Sequence, residues 1–309
     1  MTQAVVAASP CGVLVLDKPA GMSSARALEP LRRALGRKVK VGHAGTLDPF
    51  ATGVLLALLG DATRLSNLAM SFPKRYRALV RFGQETDTLD PDGTVEREQD
   101  PGGEPPEQLQ SALATFVGEI EQLPPAYSAL KVGGRRAYKL ARAGEEVRLE
   151  PRLVRIDRCE LLAIDWPEIE IEVECGAGTY VRAIARDLGA AVGLPAMLSG
   201  LRRTAIGPFE AAEGCAPETA ITLDTLQPAL RIPESAGLPT VTVSAEEALR
   251  FVTGREITAP EGTRLGMCSV VAASFVPPLL AGLGEIDADA NIRPFRVLGS
   301  ARAAIEASG

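Results

Sequence analysis

A chain of 309 residues with 46% hydrophobic side chains can bury a sizeable core, and its length suggests one large domain plus a small one. A net charge of −6 argues against a uniformly basic nucleic-acid binder, and five scattered cysteines without a C-x-x-C pair suggest reduced thiols rather than a disulfide framework or a zinc site. The start of the chain has no basic stretch leading into a long apolar one, and the most apolar tail stretch, from Ser269 to Gly284, is short and broken by Pro277 and Pro278, so neither a signal peptide nor a membrane span is expected.

The charge is unevenly distributed. Residues 1–82 hold twelve Lys/Arg against four Asp/Glu, residues 83–130 one against eleven, and residues 131–158 nine against four. Such blocks suit a protein with one basic face and an acidic back.

In chain order, Gly12 to Asp17 reads as a buried strand closed by the turn Lys18-Pro19-Ala20-Gly21. Ser23 or Ser24 can cap the following helix, whose apolar face is Leu28, Leu31 and Leu35, with Pro30 set to kink it. Next comes GHAGTLDPFATGVL, residues 42–55, which holds the one histidine of the chain, His43. Its glycines permit close backbone approaches and Pro49 biases Asp48 towards an extended conformation. Locally this pattern also describes an ordinary turn. The apolar run Val54 to Leu59 reads as a buried segment anchoring it, and Gly60 to Leu65 as the start of a helix.

Residues Lys74 to Phe82 alternate as a strand, with Tyr76, Ala78, Val80 and Phe82 on one face and Arg77 and Arg81 on the other. The acidic stretch Gln84 to Gly93 lacks EF-hand spacing and reads as a solvated turn. Pro105-Pro106 opens a helix with a core stripe of Leu109, Leu113, Phe116 and Val117. Gln122 to Tyr138 is a shaped loop made basic by Lys131, Arg135 and Arg136, with Lys139 and Arg142 just beyond and Tyr127 and Tyr138 among them, a mixture suited to phosphates and unstacked bases. Glu168 to Cys175 is an alternating strand with its glutamates outward, and Gly176 to Arg182 turns into a helix running to Gly189. An arginine at a helix start opposes the macrodipole, which points to a carboxylate partner. From about residue 225 the texture becomes rich in Pro, Ala and Gly, with Pro228, Pro233 and Pro239 suggesting a linker and Ser244 to Glu247 a capping box.

Five strings carry a family resemblance: D-K-P-A-G-M-S-S from Asp17, GHAGTLDPFATGVL, K-R-Y-R-A from Lys74, the stretch from Gln122 to Tyr138, and C-G-A-G-T-Y-V-R from Cys175, with L-R-R-T at Leu201 in support. From about Gly12 to Phe209 the chain resembles the tRNA pseudouridine-55 synthases of the TruB family. The resemblance implies an α+β pseudouridine synthase fold: a central mixed, mainly antiparallel sheet flanked by helices around an RNA-binding cleft. It also implies a catalytic domain over residues 1–225 and a small β-rich, PUA-like RNA-binding domain over 226–309. Asp48 would be the nucleophile, Arg182 its partner and Tyr76 the ring that stacks on the target base. His43, Tyr180, Leu201, Lys18 and Lys131 would bind substrate, with Lys18 in the floor under the loop. The implied activity is isomerisation of uridine 55 in the T loop of tRNA by base flipping, in the cytoplasm, by a monomer needing no metal, organic cofactor or obligate protein partner.

Competing readings are a related guide-RNA-dependent synthase sharing the G-H-x-G-x-L-D-P core, a tRNA-binding folding chaperone, and a glycoside hydrolase. A hydrolase would need a second carboxylate in an identifiable partner motif, and the sequence offers none.

Overall fold

The computed structural model describes residues 10–308 apart from 129, 133, 138, 139, 141, 142 and 146–148. Four strands build the first part: β1 (Gly12–Lys18), β2 (Val41–Ala44), β3 (Thr52–Leu59) and β4 (Lys74–Phe82). A hairpin of β5 (Gln84–Thr86) and β6 (Val95–Glu98) follows, then β7 (Gly118–Gln122) and a short pair, β8 (Lys131–Val132) and β9 (Arg135–Arg136). The remaining strands of this half are β10 (Arg152–Asp165), β11 (Glu168–Cys175), β12 (Ala196–Ile206), β13 (Phe209–Glu210) and β14 (Gln227–Pro228).

Ten of them form one sheet in the order β14-β1-β3-β12-β4-β11-β10-β7, with β13 on β12 and β2 on β3. Its pairings are antiparallel except β12 with β3, so the sheet is mixed and mainly antiparallel. The unbroken apolar run of β3 is explained by burial on both faces. Val54, Leu56 and Leu58 enter one core cluster, while Leu55, Ala57 and Leu59 enter another with Leu28 and Leu31 of the preceding helices. Those helices are two short pieces, Ser24–Ala27 capped by Ser23 and Glu29–Leu35; Pro30 stands in the first turn of the second, where its missing N–H costs no bond.

Strands β4 and β11 alternate as their sequences require. Tyr76, Ala78, Val80 and Phe82 face the core with Ile169, Ile171, Val173 and Cys175. On the outer face Arg75 meets Glu174 at 3.9 Å, Arg77 meets Glu170 at 3.8 Å and Arg158 meets Glu172 at 2.8 Å. Much of the positive charge counted in residues 1–82 is therefore spent internally. Lys18 and Lys74 are buried, Arg32 and Arg64 donate to backbone carbonyls, and Arg26, Arg37, Lys38, Lys40 and Arg81 remain exposed without an ion pair among the described residues. Val117 also differs from the expected core stripe: it lies 49% exposed just beyond the helix Leu109–Ala114.

The C-terminal sheet comprises β15 (Thr240–Val243), β16 (Ile257–Thr258), β17 (Gly266–Ala272), β18 (Leu279–Ile286) and β19 (Asn291–Val297), in the order β15-β17-β18-β19-β16. Both bonds of the expected capping box at Ser244 and Glu247 are present. The stretch that reads as a linker is folded: Pro228 pairs with Gly12, and Ile232 and Pro233 are buried. Residues of the two sheets, Val15 and Leu58 with Phe251 and Val270 among them, share one apolar core cluster. None of the described helices is long and apolar enough to cross a membrane.

Candidate active site

The loop between β2 and β3 carries Asp48, and three buried polar side chains hold its backbone from below. Ser24 Oγ donates to the Leu47 carbonyl (3.0 Å) and accepts from the Leu47 amide (2.8 Å). Lys18 Nζ donates to the carbonyls of Pro49 (3.2 Å), Pro19 (2.9 Å) and Met22 (2.9 Å); it is fully buried beneath the loop and does not line the cavity, so it holds the loop rather than reaching a substrate there. Burial pushes this ammonium down to about 8, against the opposing pull of Asp48. Arg203 donates to the carbonyls of Gly45, Thr46 and Val54. At Gly53, with φ of 103°, a Cβ would lie 2.1 Å from the Arg203 carbonyl oxygen, so only glycine lets β3 meet β12 there.

Arg182 is the second residue of the helix Val181–Val192, and its side chain is 5% exposed. Its Nε lies 2.9 Å from Asp48 Oδ2 and its Nη2 3.2 Å from Oδ1, a two-point fork that fixes the plane of the carboxylate. The rest of the guanidinium reaches the Thr88 carbonyl (2.6 Å), the Tyr127 carbonyl (3.0 Å) and Asp90 Oδ2 (3.2 Å). The carboxylate partner expected for Arg182 is thus present twice over. Asp90 overturns the reading of residues 84–93 as a solvated turn, because it is 5% exposed and accepts from Thr88 Oγ1 (2.6 Å) and the Asp92 amide (3.1 Å). Burial pushes its carboxyl above the usual range, while Thr88 and Arg182 pull it down. The helix start is tied by Gln122: the Tyr180 amide donates to its Oε1 (2.8 Å) and its Nε2 donates to the Tyr180 carbonyl (3.2 Å).

The Asp48 side chain, 32% exposed, opens on a cavity of about 330 Å³. Tyr76, Tyr180, Leu201 and Arg182 line it with Lys74 and Arg203. Burial pushes both tyrosine hydroxyls up and the Lys74 ammonium down to about 8. His43 stands apart, half-buried on β2, with no hydrogen-bond partner for Nδ1 among the described residues; burial first, then Arg203 and Arg32, holds its imidazole below the ordinary value. The backbone of Lys131 lies in β8, but its side chain is outside the described residues, as are Tyr138, Lys139 and Arg142. Among the described residues no three His, Cys, Asp or Glu side chains converge as metal ligands. An oriented carboxylate over an aromatic, partly closed pocket is equipped for nucleophilic attack on a planar ring substrate.

Sequence reading passed over Asp90, Arg203, Lys74, Ser24 and Gln122 as site residues. For Arg203 a signal exists, since it shares strand parity with the inward Leu201.

The model of the TruB family pseudouridylate synthase N-terminal domain matches residues 32–181. Over 307 residues the chain is 40% identical to a tRNA pseudouridine synthase B of Pseudomonas paraeruginosa, covering 94% of this chain and 96% of that protein. It is 42% identical over 257 residues to one of Mycobacterium bovis, covering 82% and 81%. Among solved structures, a chain of a Cbf5-Nop10-Gar1 complex matches with a TM-score of 0.64 and 26% identity, over 89% of this chain and 78% of that one. A chain of an archaeal box H/ACA sRNP Nop10-Cbf5 complex matches at 0.67 and 22% identity, over 96% and 89%, a likeness of fold.

Proposed function

The chain belongs to the TruB family of pseudouridylate synthases, and from that membership we propose that it isomerises uridine to pseudouridine at position 55 in the T loop of tRNA. The observation that carries the proposal is the two-point Arg182–Asp48 pair at the mouth of an aromatic-lined cavity. The isomerisation breaks the uridine N1–C1′ bond, forms a C5–C1′ bond, removes the proton from C5 and returns one to N1, so uridine and product are isomers and no electron acceptor is needed.

In this reading Asp48 is the nucleophile, and Arg182 aims its carboxylate and disperses its charge. Tyr76, in the cavity lining, stacks on the base, and burial pushes its hydroxyl above the ordinary tyrosine value. Tyr180 and Leu201 line the walls, His43 contacts the surrounding RNA, and the basic segment around Lys131 grips the backbone. A stacked uridine reaches Asp48 after turning out of the loop, at a cost of a few kcal/mol, on the order of one stacking step. The enzyme is proposed to work as a cytoplasmic monomer without a protein partner, its C-terminal sheet acting as a PUA-like grip on tRNA.

The test is Asp48→Asn. Isomerisation should vanish while tRNA affinity stays near the parent's, because the nucleophile is lost and the basic contacts remain. Turnover retained within about tenfold would remove Asp48 as the nucleophile.

A further inference from the structure

Strand β12 sends Leu201, Arg203 and Ala205 to one face and Arg202 and Thr204 to the other. Arg202 forks onto Asp17 at the sheet surface, at 3.0 and 2.8 Å. Arg203 turns inward and is 1% exposed, the bulkiest of the fully buried side chains among the described residues. A buried guanidinium ordinarily faces a carboxylate. Arg203 faces none among the described residues. Its Nε donates to the Val54 carbonyl (2.7 Å), Nη1 to that of Thr46 (3.2 Å) and Nη2 to that of Gly45 (3.0 Å), and on β12 it stands opposite Tyr76 of β4.

Gly45 and Thr46 precede Asp48, and Val54 follows it after the loop has entered β3. One planar fork therefore ties both ends of the Asp48 loop together, from the β12 position that faces the cavity-lining Tyr76 across the sheet. A fold-filling residue would not require this. Neutral apolar side chains stabilise a core without the desolvation cost of a cation, whereas a rigid guanidinium offers five N–H groups in fixed directions.

We infer that Arg203 is a positioning residue for the reaction, setting the distance and tilt between the Asp48 carboxylate and the Tyr76 ring. The inference rests on the reading of Asp48 as nucleophile and Tyr76 as stacking partner. It extends that reading to a residue that does not touch the scissile bond.

Arg203→Lys keeps the charge and the stem but cannot span both ends of the loop. Its single-turnover rate on tRNA should fall at least about a hundredfold, the scale of an ångström misplacement, with tRNA Kd within about threefold of the parent's. In a cycle with Tyr76→Phe, the two effects should depart from additivity by at least about threefold, because the two residues are cross-strand neighbours. Arg203→Gln, neutral and shorter, is the second variant, and rates are expressed per folded molecule from circular dichroism. Parental rate in either folded variant, strict additivity in the cycle, or failure of both variants to fold would each overturn the inference, the last by assigning Arg203 to the fold alone. Asp48→Asn run alongside keeps the two ideas separate. An active Asp48→Asn removes the underlying reading, whereas an inert one beside a fully active Arg203→Lys removes only the role given to Arg203.

Discussion

Replacing Arg182 with lysine keeps a cation in the site and changes its shape. The guanidinium makes two contacts to Asp48, one to Asp90 and two to the carbonyls of Thr88 and Tyr127. An ammonium is a single point with three donors and cannot form the fork, so at least one charge-assisted bond to Asp48 is lost. Such a bond is worth about 1.5–3 kcal/mol, and at about 1.4 kcal/mol per decade the single-turnover rate should drop roughly 10- to 150-fold. Arg182→Met goes further, leaving two carboxylates together without their cation. Breaking a buried pair in this way costs about 3–5 kcal/mol of stability, a cost that Asp90 moderates by taking up a proton, as its burial already favours. The assay is tritium release from 5-tritiated uridine in tRNA under single-turnover conditions, with filter binding for Kd and thermal melts for folding. A lysine variant within about threefold of the parent's rate would refute the fork argument, and so would a loss appearing wholly in Kd.

Three further outcomes are expected. An isolated T-arm hairpin should be modified at the uridine corresponding to position 55, and the same hairpin with its stem unpaired should react more slowly; equal rates would move specificity away from loop shape. Changing Arg37, Lys38 and Lys40 to Gln should flatten the log K against log salt line by about two to three, since up to three phosphate contacts go, and an unchanged slope would place RNA elsewhere. Lys18 titrates near 8 in the fold and near 10.5 when unfolded, so between those values the unfolded chain binds more protons and stability rises with pH. Urea midpoints of the parent relative to Lys18→Met should therefore improve from about pH 7.5 to about pH 9.5, and a constant or reversed difference would contradict the assignment.

Strands whose residues alternate or run apolar were legible because burial on one or both faces imposes that pattern locally. Strands β1, β3, β4 and β11 are of this kind, as are the capping box at Ser244 and the Gly- and Pro-shaped Asp48 loop. Asp90 was not legible. An acidic turn looks the same whether water or a guanidinium covers it, and Arg182 lies far along the chain on another element. Counting charge by block likewise ignores pairing, so the arginines of β4 counted as free cations although glutamates of β11 neutralise two of them. The role of Gln122 was equally hidden, since it depends on which backbone lies opposite the end of β7.

The shared core also bears on how the chain is made. Strand β1, the earliest of the described strands in chain order, sits between β3 and the late strand β14, with Gly12 opposite Pro228. The cluster containing Val15 and Leu58 is closed by Phe251, Val270 and Ile305. A nascent chain of 225 residues would thus display an open apolar wall. Each Val, Leu or Phe left uncovered forfeits about 1.5–3 kcal/mol, and a handful of them outweighs the whole net stability of about 5–15 kcal/mol typical of a domain. Synthesis at about 5–20 residues per second leaves that wall exposed for several seconds, a window in which a ribosome-bound chaperone has a binding surface and a stalled translation product has a route to aggregation.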